Sequence, residues 1–123
     1  MNILHNLGII LVFLVGIEHI AICYLEIFAS PETQARVFDM SPDFTKQESA
    51  RLSMANQGIY NGMLGLMIIL VFFMLKGQTL TLIWQLLMGF IIIVAAFGGF
   101  TATKKIFVVQ MLPAIVALGL ISL

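Results

Sequence analysis

Apolar residues fall in four long runs separated by two short polar breaks and one extended polar segment. The runs cover approximately residues 3–28, 52–75, 79–100 and 105–123, and the polar segment is 29–51. A helix rises about 1.5 Å per residue and a hydrocarbon core is about 30 Å thick, so about 20 apolar residues are needed to cross it. The first three runs exceed that length and the last just reaches it. Because backbone groups in lipid must be satisfied within the segment, the pattern predicts an all-α fold. The expected architecture is a single integral membrane domain, a four-transmembrane-helix bundle with one amphipathic cytoplasmic loop between helices 1 and 2.

The polar segment has its own punctuation. Ser30-Pro31-Glu32 and Ser41-Pro42-Asp43 each set a hydroxyl before a proline and an early acid, the chemistry of a helix start. They predict a short helix and then an amphipathic lead-in to the second span, with Phe38, Met40 and Phe44 at the headgroup boundary. Lys76-Gly77-Gln78 joins the second and third spans, and residues 101–105 join the third and fourth.

Composition sharpens the solvent. With 61% hydrophobic and 10% charged residues and a mean hydropathy of +1.10, the chain departs from a soluble globule towards one solvated by lipid. Six basic residues balance six acidic ones. No arginine-rich face exists to track phosphates, which excludes nucleic acid as a partner. The single Cys23 excludes an internal disulfide. The first run lacks an early Lys or Arg and a small-residue cleavage pattern, so it reads as a retained span, and the bulky Ile22 before Cys23 argues against lipoprotein processing. Arg36, Lys46, Arg51, Lys104 and Lys105 fall on one side of the predicted threading and Lys76 on the other. The long loop is therefore expected in the cytoplasm of a plasma-membrane protein, with both termini outside.

Polar residues inside the runs mark candidate chemistry. Glu18, His19 and Glu26 fall within roughly a 100° arc of the first helix, with Glu26 near its cytoplasmic end and the other two about two turns deeper. A carboxylate at that depth costs several kcal/mol and is seldom left without a partner. The second span carries Ser53, Asn56, Gln57, Tyr60 and Asn61 at the same level. The two polar stripes are expected to face each other, with Gly58-x-x-x-Gly62 permitting close helix approach. Gln110 on the fourth span lies at a similar depth, where Pro113 leaves the Val109 carbonyl without its usual donor. Gln85 and Gln110 also fit simple interhelical hydrogen bonding. Trp84 fits an outer aromatic belt, and Glu26 fits a snorkelling interfacial acid.

These residues predict a pocket open to the cytoplasm and lined by Glu18, His19, Glu26, Asn56, Gln57, Tyr60, Asn61 and Gln110. It would bind or transport a small or lipid-like molecule, and proton exchange at Glu18 would couple binding to pH. An alternative is an intramembrane enzyme in which Glu18 or His19 acts as acid or base and Tyr60 orients an apolar substrate. His19, Cys23 and Glu26, at i, i+4 and i+7, are metal-ligand candidates, but one helix rarely completes a coordination shell. A structural subunit, for example a homodimer packed through the glycine face, is a further alternative. The residues specify no cofactor.

Glu18-His19, Tyr24-Leu25-Glu26-Ile27-Phe28, Asn56-Gln57-Gly58-Ile59-Tyr60-Asn61-Gly62 and the run from Thr103-Lys104-Lys105 through Gln110-Met111-Leu112-Pro113-Ala114 together resemble the bacterial membrane family called domain of unknown function 1304. The resemblance extends over nearly the whole chain. It implies a small four-helix membrane protein and names no activity.

Overall fold

The computed structural model describes residues 2–123 and is all-helical. Its elements are α1 (Ile3–Phe28), α2 (Pro31–Phe38), α3 (Pro42–Thr45), α4 (Glu48–Met74), α5 (Gly77–Thr101), a π-helical turn (Phe107–Met111) and α6 (Leu112–Ile121). The three long helices contain 26, 27 and 25 residues, hence roughly 38–40 Å each. All three are long and apolar enough to cross a membrane. The fourth apolar run forms a shorter apolar helix, Phe107–Ile121, so the expected count of four long spans reduces here to three long helices and one short one. The second span begins earlier than its apolar run, at Glu48, because the polar residues before Leu52 continue the same helix.

Large apolar side chains face outward along these helices, among them Ile93, Phe97 and Phe100 of α5. An aqueous surface rarely carries that much contiguous apolar area. The chain divides into two compact units, one formed by residues up to Gly16 with Met67–Leu123, the other by Ile17–Leu66.

In the first unit α5 packs against the π turn and α6. The buried stripe of α5 is Trp84, Met88, Ile91, Ala95 and Gly99, a three-and-four spacing that keeps one helix face inward. From α6 come Ala114, Ala117 and Ile121, whose small side chains allow close approach. The backbone of Gly8 in α1 fits so tightly here that a Cβ would stand 2.8 Å from the Ile121 amide nitrogen. Gln85 Nε2 donates to Ser122 Oγ at 3.0 Å, tying α5 to the chain end.

Trp84 is not in an outer aromatic belt. It is 2% exposed, and its indole N–H donates to the Ile68 carbonyl at 2.9 Å. Its ring stacks on Phe72 with centroids 5.9 Å apart, and Phe13 meets both edge-on. The buried indole keeps its donor satisfied by sharing a helical carbonyl, which makes an interior position tolerable.

Pro113 acts through the backbone as well. The Leu112 amide donates to the Phe107 carbonyl, five residues back. A proline cannot donate to the fourth preceding carbonyl, and a local shift to π register is one way a helix absorbs the mismatch. The turn beside Gln110 is therefore wider than an ordinary α-helical one.

In the second unit the 29–51 segment is compact. Ser30 caps α2, its Oγ accepting from the Thr33 amide at 3.2 Å. Ser41 precedes Pro42 in the same way but makes no side-chain cap bond. The work at that corner falls to Thr45, fully buried, whose hydroxyl donates to the Pro31 carbonyl at 2.8 Å. Gln34, 1% exposed, donates from Nε2 to the carbonyls of Leu25 at 3.0 Å and Glu26 at 3.1 Å. The Leu25 carbonyl already accepts from the Ala29 amide at 3.3 Å, so Gln34 adds a second donor there and one at Glu26, tying α2 back onto the end of α1.

Candidate functional site

The second unit holds a close contact between α1 and α4, and glycine sets its geometry. A Cβ on Gly58 would lie 3.0 Å from Glu26 Cβ and Ile27 Cγ1 and 3.2 Å from the Cys23 carbonyl; on Gly62 it would lie 2.6 Å from Cys23 Sγ. These glycines therefore bring α4 within backbone range of α1, the use expected of a small-residue surface. One turn further along each helix, Gly65 and His19 are both buried.

The rotation imposed by the glycines decides which polar residues meet. Asn61 sits beside Gly58 and Gly62 on the wheel, and its Nδ2 donates to Glu26 Oε1 at 2.6 Å. Asn56 and Tyr60 lie roughly 140–180° away from that face. Asn56 is exposed and donates to the Leu52 carbonyl of its own helix at 3.0 Å. Tyr60 is 74% exposed, and Gln57 is also exposed. The stripe anticipated as one wall is thus two faces, of which only the Asn61 face reaches α1. Tyr60, expected from the sequence to orient an apolar substrate, lies on the exposed face of α4.

On α1, Glu26 is buried, not at a snorkelling rim. His19 is 2% exposed. Glu18 is half-buried, and its Oε1 is buried without a hydrogen-bond donor. It lies eight residues, or roughly 12 Å along the axis, from Glu26. Gln110 belongs to the other compact unit, on the π turn. Among the described residues no three His, Cys, Asp or Glu side chains gather as a metal ion requires. His19, Cys23 and Glu26 are spread along one helix, and the Cys23 sulfur is directed at the Gly62 backbone.

Gln34 is the residue that sequence reasoning missed. Its signal was indirect: α1 ends in a polar segment where some donor must meet its terminal carbonyls, and Gln34 stands within one helical turn of Pro31.

The close packing carries a prediction. Gly62→Ala is expected to cost about 1 kcal/mol, the low end for overpacking, because rotation of Cys23 can move its Sγ and leaves only a small backbone adjustment for its Cβ at 3.0 Å. Gly58→Ala meets Glu26 Cβ and Ile27 Cγ1 at 3.0 Å and the Cys23 carbonyl at 3.2 Å, three neighbours from three residues, and is expected to cost about 2 kcal/mol. Unfolding midpoints in detergent would check the order, and equal midpoints for both variants and the parent would refute the close contact.

Three helices fit to cross a membrane, with a part-buried carboxyl–amide pair between two of them, define an all-helical protein of membrane-compatible composition. The family described as "Protein of unknown function (DUF1304)" matches residues 13–122, and the chain belongs to it. The chain is 43% identical over 113 residues to "Uncharacterized protein YpaA" of Lactococcus lactis subsp. lactis (strain IL1403), covering 91% of this chain and 93% of that protein. No solved structure matches.

Proposed function

We propose that the chain is a multi-pass membrane protein in which α1, α4, α5 and the Phe107–Ile121 helix all span the bilayer, with Glu18, His19, Glu26 and Asn61 forming an intramembrane site for a small or lipid-like molecule. Five of the six basic residues at the helix ends and in the loops favour a cytoplasmic 29–51 segment and outside termini. The short last helix, at about 23 Å, reaches across only with Thr103–Lys105 and Ser122–Leu123 at the interfaces.

One observation carries the binding reading: Glu18 Oε1 is buried without a donor. An unsatisfied buried acceptor costs about 1–3 kcal/mol. A ligand donor, a hydroxyl or an amine, would satisfy it, while the apolar surroundings would hold the remainder of a lipid-like molecule. The Glu26–Asn61 pair would fix the helix spacing beside that position. Residues kept for binding at a cost in stability are a common trade.

The test uses the full chain released from membranes with its native lipids. Native mass spectrometry is expected to find a retained molecule on the parent and to lose it in Glu18→Leu. The same substitution is expected to leave the stability of the ligand-stripped protein unchanged or raised by about 1 kcal/mol, since the orphan acceptor is gone. Equal ligand retention by the two proteins would overturn the binding role of Glu18. Full retention of fold-dependent helicity only in the parent would assign Glu18 to structure instead.

A further inference from the structure

We propose that a second site, distinct from the intramembrane one, binds the phosphate of an anionic glycerophospholipid headgroup against the start of α4. The site is an open depression of about 430 Å³ lined by Ile27, Lys46, Glu48, Arg51, Leu52 and Ala55. Its polar part is cationic on balance, two basic side chains against one acid, which matches the single negative charge of a phosphodiester. Its apolar part, Ile27, Leu52 and Ala55, supplies a surface for the adjoining acyl chains.

Arg51 gives the independent indication. Its Nη1 is buried with no acceptor, although a guanidinium is the side chain best shaped to grip a phosphate through two parallel N–H bonds. Lys46 stands 3.8 Å from Glu32, with both side chains more than half exposed. An exposed pair at that distance is worth little, so Lys46 can turn to a phosphate. Glu48 faces the same depression and limits the anion to one of low charge. It disfavours a free, doubly charged phosphate more than a phosphodiester.

The placement rests on the membrane-spanning reading above. The site includes the C-terminal turn of α1 and the N-terminal turn of α4, where a span leaves the hydrocarbon core, and basic residues at that level meet anionic headgroups.

The experiment titrates the purified full chain in detergent with phosphatidylglycerol, phosphatidylcholine and inorganic phosphate, followed by native mass spectrometry. The parent is expected to prefer phosphatidylglycerol over phosphatidylcholine by roughly tenfold. Arg51→Gln is expected to lose most of that preference and Arg51→Lys to keep part of it, with helicity unchanged in both. Inorganic phosphate is expected not to displace the lipid. Equal binding of the two lipids by the parent, or an undiminished preference in Arg51→Gln, overturns the site. Displacement by inorganic phosphate overturns the lipid as its source. Failure of the membrane reading is separately visible, as release of the chain from membranes by alkaline carbonate without detergent. Failure of the Glu18 site leaves the Arg51 result untouched.

Discussion

Trp84→Ala is expected to lower stability by about 3–5 kcal/mol, the range for removing a large aromatic side chain from a packed interior. The residue is almost fully buried between Phe13 and Phe72, so the vacated volume cannot be reclaimed by a single neighbour. Trp84→Phe keeps an aromatic ring, and loses the bond to the Ile68 carbonyl together with part of the indole's packed volume. That carbonyl lies in α4, inside a continuous helix, so the bond itself should account for about 1 kcal/mol, and with the smaller void the total should stay below that of Trp84→Ala. Unfolding in detergent, followed by near-ultraviolet circular dichroism, separates the two. A Trp84→Ala midpoint equal to that of the parent would return the indole to an outer belt.

Asn61→Leu is the second large effect, expected at about 2–3 kcal/mol. Interhelical hydrogen bonds in membranes average only about 0.6 kcal/mol, because alternative partners are usually available. Glu26 is different, since it is buried against Gly58 and its carboxyl accepts at 2.6 Å. Leaving such an acceptor alone costs more than an average bond contributes. The double variant Glu26→Leu/Asn61→Leu should recover most of the loss, because removing both partners leaves nothing unsatisfied. Additive losses in the two single variants and the double would show that the bond contributes nothing of its own.

The features that proved legible in the sequence are those with local causes. Three long apolar runs became three long helices because period and length are local properties. Ser30-Pro31-Glu32 began a helix where its cap chemistry placed it. Rotational phase was not legible in the same way. Asn56, Tyr60 and Asn61 look equivalent as polar residues entering one span, and only the requirement that Gly58 and Gly62 face α1 separates them. Trp84 was misplaced for a related reason: near the end of a run, a tryptophan fits a belt until a carbonyl acceptor for its N–H is known. Gln34 was invisible because its role depends on the chain turning back at Ser30, a tertiary event that no periodicity records. The π turn at Phe107–Met111 was half legible, since Pro113 announced the backbone conflict but not its resolution.

The same contrast applies to the candidate site. Glu18 and His19 stand out by depth alone, and Glu26 by its place in an apolar run. Their chemistry depends on what lies opposite, which the glycine register supplies for Glu26 and leaves open at Glu18 Oε1.

A structure of the protein extracted with its native lipids tests the central claim most directly, by what lies beside Glu18. The account predicts non-protein density with a polar atom within about 3 Å of Glu18 Oε1 and an apolar remainder along α1. A donor from the protein itself at that oxygen, with no other density there, would contradict it.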